Sequence, residues 1–556
     1  MSAEPAHPRH ILVAVGWPYA NGELHLGHIA GAYLPADIFA RYHRMAGNRV
    51  LMVSGSDQHG TPVTVRADDE GVTPQEIVGR FHPRFLQLWD ALGIDFDLFT
   101  TTGTQNHAAV VHDMFLRWQE RGYVYRATSE QFFDPQANRF LPDRYVEGTC
   151  PHCGYERARG DQCENCGRTL DPEQLINPRS RLTGATPEIR ETDHFFFKLS
   201  AFQEPLLEWL RSRVGWRKHV QNFSAGFVEE GLHDRAITRD LDWGVSVPVE
   251  DLGPGKRIYV WIEALIGYLS ASKEWAQREG EPNAWRAWWE DESAGTYYFI
   301  GKDNIPFHTI IWPAMLMAYG GLNLPTDVPA NQYVTFKGEK ASKSQAVGDS
   351  VFTYLERFQP DAIRYALAAN LPENADTDMT EAEIVRRNND ELVATWGNLV
   401  NRVLAMIQRN FEGRVPSPGA LDRRDEEVLD GARTLVHQVG ELIEAVHLKA
   451  ALAHAMAFAQ EANAYLSERE PWKTAKTDRE RTASSLYVAL SAINALNVAL
   501  SPFLPFSAEK VRAYLGEAQE PVRWAAERPE PGRQLAAPEP LFKKIETPEG
   551  EARLSA

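Results

Sequence analysis

Residues 11–28 read ILVAVGWPYANGELHLGH and join an apolar run to a turn and the start of a helical pattern. The apolar run at 11–15 predicts a buried strand, 17–22 predicts a turn, and 27–45 predicts a helix. A second apolar run at 50–53 predicts the next strand. Strands that alternate with helices indicate a parallel α/β sheet, which places ligand-binding crevices at the carboxyl ends of its strands.

The composition of the chain limits the classes of protein to which it can belong. Of 556 residues, 43% are hydrophobic and 24% are charged, which is typical of a globular protein and excludes collagen-like, disulfide-scaffold and wholly disordered classes. At about 150 residues per domain, three or four domains are expected. The net charge of −18 argues against non-specific binding of nucleic acid, DNA included, but leaves room for a local surface that binds nucleotides or RNA.

Neither end of the chain suggests a membrane protein. The first ten residues, MSAEPAHPRH, contain no apolar signal core, and four cysteines in 556 residues fit a reducing compartment, so we expect a cytoplasmic protein. Residues 487–506 carry no charge and are long enough to span a bilayer. Leucine and isoleucine recur there at helical spacing and two prolines interrupt the segment, which favours a buried helix of a bundle.

The α/β pattern is interrupted once and is later replaced by helices. A turn-rich segment that holds all four cysteines interrupts it, and beyond residue 381 the chain is almost entirely helix-patterned, as in a helical bundle. The Pro- and Glu-rich end resembles a surface strap or a disordered tail. The expected segments are an α/β half at 1–121, an insertion at 122–232, a second α/β half at 233–325, a connecting region at 326–380, a bundle at 381–526 and a tail at 527–556.

Two histidines lie where the first predicted helix begins. No GxGxxG or GxxxxGK[ST] motif occurs, so a classical dinucleotide fold and a P-loop NTPase lose their main support. A helix N-terminus exposes N–H groups and the positive end of its dipole, and His25 and His28 add donors, so the site suits a polyphosphate. Gly27 leaves the backbone open to a ligand. The simpler alternative is a pair of histidines that cap the helix.

A lysine-rich loop follows the strand-like residues 333–336. The sequence KGEKASKS at 337–344 carries Lys340 and Lys343, whose ammonium groups could close over phosphates and neutralise charge on a leaving pyrophosphate. Taken alone, such a loop is usually just solvated.

The four cysteines form two CxxC pairs, Cys150 with Cys153 and Cys163 with Cys166. Four thiolates at this spacing can close a tetrahedral zinc site that leaves no position for a catalytic water, so the site is predicted to be structural. Four ordinary cysteines or a redox pair are the alternatives.

A carboxylate and an aromatic face are candidates for a small-molecule pocket. Asp57 follows the strand at 50–53, where it could hold a substrate ammonium or simply form an Asx-turn. Trp261, Ala264, Leu265 and Tyr268 share one helical face, which suits either plain core or the apolar wall of a pocket.

The histidine motif HLGH, followed by KASKS, resembles the paired signatures of class I aminoacyl-tRNA synthetases, which flank the ATP site in that class. Further strings narrow the resemblance to the methionyl-tRNA synthetase family, with matches spread over residues 13–472. These strings are PYANGELHLGH, SGSDQHGTP, LPDRYVEGTCPHC, ARGDQCENC, ITRDLDWG, YVWIEALIGY, FIGKDNIPFH and WGNLVNRV.

This resemblance implies an α/β fold: a Rossmann-type catalytic domain split by a zinc-containing connective insertion, with the knuckle at about 148–170, then a stem-contact region with the lysine loop and an anticodon-binding helix bundle. It implies a methionine–tRNA ligase that activates L-methionine with ATP to methionyl-adenylate and transfers it to elongator and initiator tRNA(Met). Mg²⁺ would accompany ATP, and one structural Zn²⁺ would be bound per chain.

The resemblance also implies roles for individual residues. His25, Gly27, His28, Lys340 and Lys343 would bind ATP, and all of these except Gly27 would be catalytic. The methionine pocket would comprise Trp17, Tyr19, Asp57, Trp261, Ala264, Tyr268 and His308. The anticodon would be read by Asn398, Arg402, Pro471 and Trp472, although a tryptophan in a bundle is more often core. Trp17 replaces the leucine of many relatives, and Ala341 replaces the usual methionine of the lysine loop.

Competing functions explain less of the sequence. A class I synthetase for leucine, isoleucine or valine would need a much larger editing domain than residues 122–232 can form. A non-catalytic zinc-containing RNA-binding protein would not need both signatures, and a small-molecule nucleotidyltransferase would explain neither the bundle nor the insertion. The chain ends soon after the bundle, without the appended domain that relatives use to dimerise, so a monomer is expected.

Overall fold

A computed structural model of the chain describes residues 9–546 except 143–144, 161–162, 164, 167, 169, 171, 253–254, 337–338 and 341–349. For Pro172, Asp251, Phe336, Glu339 and Lys340 it describes the backbone only.

The centre of the first half of the chain is a five-stranded parallel sheet. Its strands lie in the order Ala330–Asn331, Gly295–Gly301, His10–Val15, Arg49–Ser56 and Leu98–Thr101. The first strand in sequence therefore occupies the middle, and the chain extends the sheet first to one side and then to the other. In such a sheet the ligand crevice lies outside the strand ends at the point where this order reverses.

Helices cover both faces of this sheet, and the strand residues 11–15 are completely buried, as a parallel sheet requires. The helix predicted at 27–45 is not uniform, because a π-helical segment, Ile29–Tyr33, divides it into Leu26–His28 and Leu34–Met45. A second π-helical segment, Phe307–Ile311, precedes the helix Trp312–Tyr319. The other helices of this half are Thr61–Glu70, Pro74–Leu92, Gln105–Glu120, Val260–Arg278 and Arg286–Trp289, with the 3-10 turn Lys302–Asn304.

The insertion forms two small antiparallel sheets. In the larger sheet, Val124–Asp134 pairs with Glu188–Phe197, and Arg139–Phe140 and Arg235–Ala236 lie at its edges. The smaller sheet, with the order Ala158–Arg159, Val146–Thr149 and Ile176–Ser180, carries the cysteines on its connections. The helices Gln203–Arg211 and Lys218–Glu229 and the 3-10 turns Pro172–Gln174 and Leu199–Phe202 complete this region.

Short elements connect the insertion, the sheet and the bundle. Thr238–Asp240 pairs with Lys256–Ile258, and Val334–Phe336 lies between Glu339–Lys340 and Thr377–Met379. The 3-10 turn Glu250–Leu252 and the helices Val351–Leu355 and Pro360–Ala369 also belong to these connections. The bundle comprises Glu381–Arg387, the π-helical Asn388–Gly397, Asn398–Phe411, Arg423–Glu444, Leu448–Arg469, Pro471–Thr474, Arg479–Leu500 and Pro505–Tyr514.

Most of the uncharged segment predicted as a bundle helix, residues 487–500, lies in the helix Arg479–Leu500, and its last two residues begin the helix Pro505–Tyr514. Among the described residues, Arg479–Leu500 is the one helix whose length and composition would allow it to cross a membrane, and its apolar stretch is entirely buried inside the protein. It packs against Arg423–Glu444 and Leu448–Arg469. The prediction of a core helix is therefore confirmed.

The end of the described chain folds back over the bundle. Asn388 and Asn389 donate side-chain hydrogen bonds to the carbonyls of Lys543 (2.9 Å) and Ile545 (2.8 Å). Leu541 is buried beside them. Residues 541–546 therefore lie against the π-helical segment Asn388–Gly397, and residues 532–535, which pair with 413–415, continue this strap along the bundle.

One buried ion pair joins the sheet to the bundle. Arg364, on the helix Pro360–Ala369, is fully buried and donates to Asp37 of the helix Leu34–Met45 at 2.6 Å. It also donates to the carbonyls of Pro502 and Phe503, which follow the longest buried helix of the bundle.

Candidate functional site

A cavity of about 480 Å³ opens at the carboxyl ends of the central strands, where the strand order reverses. The two π-helical segments Ile29–Tyr33 and Phe307–Ile311 and the helix Val260–Arg278 contribute to its wall. It is also lined by every predicted ATP-binding or methionine-binding residue whose side chain the structure describes, namely Trp17, Tyr19, His25, Gly27, His28, Asp57, Trp261, Ala264, Tyr268 and His308. The fold thus brings residues from four distant parts of the sequence into one site, which makes them candidates for a common chemistry.

The two histidines stand side by side at the start of the helix. Their ring centroids are 3.8 Å apart, and Nδ1 of His28 accepts a hydrogen bond from the backbone N–H of His25 at 3.3 Å. A Cβ atom on Gly27 would lie 3.0 Å from the His25 ring, so a larger residue would disturb the pair. The capping alternative and the ligand-binding interpretation are compatible, because the same rings cap the helix and line the cavity.

The lysine loop is largely outside the described residues. This applies to Lys343 and Ala341 and to the side chain of Lys340, whose backbone pairs with Thr335. The described residues on both sides of the loop lie next to the site, since Val334 lines the cavity and Ser350 forms a backbone bridge with His25.

The predicted aromatic face does form one wall of the cavity. Trp261, Ala264, Leu265 and Tyr268 all line it, and Trp261 packs edge-on against Phe307 with ring centroids 4.0 Å apart.

The deep end of this wall is polar but uncharged. Nδ1 of His308 lies 2.9 Å from the carbonyl of Asn304, so we assign the proton to Nδ1, and Nε2 then accepts from the Tyr268 hydroxyl at 2.7 Å. Burial lowers the pKa of His308 to about 4, so the ring is neutral at physiological pH. The wall therefore suits an apolar or weakly polar side chain.

Trp17 occupies space that two glycines leave free. A Cβ atom on Gly267, within the helix Val260–Arg278, would lie 2.7 Å from Cε2 of the indole, and one on Gly55 would overlap the ring from the other side. The indole of Trp17 therefore fits at this position because neither Gly55 nor Gly267 carries a side chain.

Asp57 places a buried carboxylate in the same cavity. Only 3% of it is exposed, and its Oδ1 accepts from the backbone N–H of His59 at 3.1 Å, which is the Asx-turn of the alternative interpretation. Burial and, to a smaller extent, the nearby Glu263 carboxylate together raise the pKa of Asp57 to about 8. A cation that entered the cavity beside Asp57 would stabilise its ionised form, so the site suits an ammonium group.

A charged network lies behind Asp57. Oε1 of the fully buried Glu263 is 2.8 Å from Nδ1 of His59, and Oε2 is 3.7 Å from Nε2 of His107. Burial opposes ionisation of Glu263, but the two histidines lower its pKa to about 2. Burial would also lower the pKa of His59, yet Glu263 raises it. Sequence reasoning missed this role of Glu263, although a glutamate inside the apolar run VWIEALIGY was an available signal.

The four cysteines come together as the spacing predicts. Their Sγ atoms all lie within 4.8 Å of one another, with Cys150 and Cys163 buried and the other two exposed. Gly154 makes the first turn possible, since its φ of +73° is left-handed and its N–H donates to the carbonyl of Cys150 at 3.0 Å. A backbone hydrogen bond at Tyr155 lowers the pKa of Cys153 to about 6, which favours a thiolate. Four clustered sulfur ligands fit a tetrahedral metal site.

The predicted anticodon residues form a surface group on the bundle. The Arg402 guanidinium lies 5.1 Å from the centroid of the Trp472 ring, and Asn398 is exposed one turn earlier on the same helix. Trp472 is 41% exposed, so the interpretation as a core residue is wrong. Pro471 is buried at the first position of its helix, where it can orient Trp472 rather than contact a ligand.

Comparisons with known proteins agree with this arrangement. The family model for tRNA synthetases class I (M) matches residues 11–404, and the model for the anticodon binding domain of methionyl tRNA ligase matches residues 415–554. Methionine–tRNA ligase of Dehalococcoides mccartyi is 54% identical over 538 residues, which cover 96% of this chain and 97% of that protein. The enzyme of Thermomicrobium roseum is 51% identical over 571 residues, with 97% of each chain covered.

A crystal structure of Mycobacterium tuberculosis methionyl-tRNA synthetase bound by methionyl-adenylate has a similar fold. It superimposes with a TM-score of 0.81 at 28% identity, and the match covers 96% of this chain and 100% of that one.

The contact between Trp17 and Gly267 yields a test of the pocket geometry. Gly267→Ala is expected to destabilise the protein by about 1–3 kcal/mol, because its Cβ would be forced against the indole. In a Trp17→Leu background the same change should be neutral or stabilising by up to about 1 kcal/mol, because alanine favours a helix. Urea denaturation of the four proteins measures both effects.

Gly79→Ala is the matched control, since Gly79 lies inside the helix Pro74–Leu92 and a Cβ there would meet nothing within 4 Å. Equal destabilisation by Gly267→Ala in both backgrounds would show that Trp17 does not fill this space.

Proposed function

The chain belongs to the methionyl-tRNA synthetase family of class I tRNA synthetases, and we propose from this membership how its cavity carries out methionine–tRNA ligation. In the first step, the methionine carboxylate attacks the α-phosphate of ATP, which gives methionyl-adenylate and releases pyrophosphate. In the second step, a ribose hydroxyl at the 3′ end of tRNA attacks the methionyl carbonyl and releases AMP. The supporting observation is that a histidine pair, a buried carboxylate and an apolar aromatic wall line one cavity.

His25 and His28 are proposed to bind the phosphates of ATP. They lie at the start of a helix, whose dipole favours negative charge, and Gly27 between them allows close approach. Lys340 and Lys343 are proposed to approach from the loop and to neutralise charge that develops on the leaving pyrophosphate. Mg²⁺ is proposed to bind together with ATP. Positioning and charge neutralisation supply most of the rate enhancement in such a reaction.

Asp57 is proposed to bind the ammonium group of methionine. Burial keeps the carboxylate from being solvated by water, and the ammonium group would stabilise its negative charge instead. The network around Glu263 holds the adjacent His59 in place. Tyr19, whose backbone bridges Asp57, would close the pocket from the side of the turn.

The methionine side chain is proposed to lie against the aromatic wall. Trp17, Trp261, Ala264 and Tyr268 offer apolar surface, which suits a polarizable thioether, and neutral His308 fixes the hydroxyl of Tyr268.

The remaining parts of the molecule are proposed to serve tRNA. Asn398, Arg402 and Trp472 would read the CAU anticodon of elongator and initiator tRNA(Met), with Pro471 orienting Trp472. The four cysteines would hold one Zn²⁺, which would cross-link the loops of the insertion and would take no part in the reaction. We further propose that the protein acts in the cytoplasm as a monomer.

Methionine-dependent exchange of pyrophosphate into ATP tests the first step, and aminoacylation of total tRNA tests the second. The protein should support both with methionine and neither with leucine, isoleucine or valine at matched concentrations. Exchange with one of those amino acids but not with methionine would contradict the proposal, as would binding of tRNA without any exchange.

Methionine binding is expected to release close to one proton per chain at about pH 6.5, and the release should vanish well above pH 8. Burial keeps Asp57 protonated below its pKa of about 8, whereas a bound ammonium favours the carboxylate. Methionine affinity should therefore increase with pH up to about 8, by at most about tenfold per pH unit. Isothermal titration calorimetry in buffers of different ionisation enthalpy measures the proton count.

Asp57→Asn should abolish the release and weaken binding. A methionine analogue without the amino group is the chemical control, because it offers no cation to Asp57. Proton release that persists in Asp57→Asn would assign it to another group.

Elemental analysis of the purified protein is expected to find about one zinc per chain. Cys163→Ser should lose the metal and make the insertion sensitive to proteases, because the buried thiolate is replaced by a weaker ligand. Glu156→Gln, an exposed change in the same loop, should retain it. A metal-free preparation that is fully folded and fully active would refute the site.

Trp472→Ala is expected to reduce kcat/KM for tRNA by tenfold or more, since stacking of one base on an aromatic ring is worth about 1–3 kcal/mol. Methionine activation without tRNA and the melting temperature should stay unchanged, because the ring is exposed on the surface of the bundle and does not line the cavity. Trp472→Phe, which keeps an aromatic surface, is the control and should retain most of the activity. An unchanged kcat/KM for tRNA in Trp472→Ala would show that Trp472 does not contribute to anticodon binding.

A further inference from the structure

The cavity has an unexpected contributor from the insertion. Among the described residues, Arg159 is the only arginine or lysine that lines it. Of the histidines in the wall, His308 is neutral because burial lowers its pKa. The strongest permanent positive charge described in the site therefore comes from outside the α/β sheet.

The smaller sheet of the insertion fixes the backbone of Arg159. The strand Ala158–Arg159 pairs antiparallel with Val146–Thr149, so that Arg159 lies opposite Glu147, and the N–H of Gly160 donates to the carbonyl of Val146 at 3.1 Å. Ala158 is completely buried in the core of the insertion. Because successive residues of a strand face opposite sides, Arg159 is directed away from that core and toward the cavity.

The cysteine cluster holds both ends of this strand pair. Cys150 directly follows Val146–Thr149, and Cys163 lies four residues beyond Arg159. The cysteines that follow each of the two paired strands belong to the same four-cysteine cluster. The metal-binding site thus secures the short strand that carries the arginine.

The insertion is seated on the helix Thr61–Glu70. The Tyr145 hydroxyl donates to Asp68 at 2.7 Å, and Val65 packs against the apolar core of the insertion. This helix begins beside the cavity, since Pro62 lines it and accepts, through its carbonyl, a hydrogen bond from Asn21. This contact between the insertion and the helix Thr61–Glu70 therefore places Arg159 on the side of the cavity where the turn at 17–22 leads to the histidine pair.

We propose that Arg159 binds a phosphate group of the reaction, so that the metal-bound insertion contributes directly to the active site. This rests on the proposed ligase function. A guanidinium offers two parallel N–H donors that match phosphate oxygens, and its charge does not titrate at physiological pH. The phosphate belongs either to ATP and the adenylate or to the 3′-terminal nucleotides of tRNA, which must enter the same cavity.

Arg159→Gln and Arg159→Lys, compared with Arg157→Gln, test this proposal. Arg157 is exposed, lies two residues away in the same insertion and does not line the cavity, so it controls for a general loss of charge. Three quantities are measured on the full-length proteins: methionine-dependent pyrophosphate exchange with varied ATP, single-turnover transfer from preformed methionyl-adenylate to tRNA, and zinc content.

Arg159→Gln is expected to lose tenfold or more in one of the two rates while zinc content and methionine affinity stay at the level of Arg157→Gln. A loss in exchange, with a raised KM for ATP or a lowered kcat, assigns the phosphate to ATP. Normal exchange with slow transfer assigns it to tRNA. The affected rate of Arg159→Lys should lie between those of Arg159→Gln and Arg157→Gln, because lysine keeps the positive charge but lacks the two parallel N–H donors of the guanidinium.

The proposal is overturned if both rates of Arg159→Gln equal those of Arg157→Gln, which would mean that Arg159 only pairs with carboxylates of the cavity. It is also overturned if Arg159→Gln loses zinc, since the residue would then be structural. Failure of the ligase function would appear differently, as an absence of exchange in the unmodified protein.

Discussion

The guanidinium of Arg364 and the carboxylate of Asp37 are both shielded from water, 2.6 Å apart. Buried charges are tolerated only when their remaining hydrogen-bonding groups are also satisfied. Here the carbonyls of Leu92, Pro502 and Phe503 accept from the guanidinium. The pair therefore forms only when the helices around the sheet and the last long helix of the bundle are all in place, which fixes the bundle relative to the sheet.

This junction is connected to the cavity through continuous helix. Asp37 lies on Leu34–Met45, which follows Ile29–Tyr33 and the histidine pair without a break. The wider π-helical turn adjusts the direction of that helix so that Gly31, Ala32 and Tyr33 reach the cavity, as π-helical turns often do at functional sites. The bundle surface that carries Trp472 and the histidine pair of the cavity are thus held in one frame.

Local patterns in the sequence predicted most of the cavity. The apolar runs at 11–15 and 50–53 gave two central strands, the spacing from Trp261 to Tyr268 gave a wall, and the CxxC pairs gave the sulfur cluster. The contributions of Glu263 and Arg159 could not be predicted in this way. Glu263 contacts histidines from two distant segments, and Arg159 reaches the cavity from the separate insertion, whereas a single sequence shows the residue type but not its surroundings. The π-helical division of the helix at 27–45 likewise depends on packing rather than on composition.

The order of the bundle helices along the chain has a consequence for biosynthesis. Arg423–Glu444 and Leu448–Arg469 leave the ribosome before Arg479–Leu500, the helix whose buried apolar stretch packs against both of them. The two helices can pack against each other, but until Arg479–Leu500 emerges the apolar surface that each presents to it has no native partner, so the bundle cannot complete its core during synthesis of its own first helices. The nascent chain consequently passes through a stage in which chaperones have exposed apolar surface to bind, and a chain stopped before residue 500 would remain at that stage.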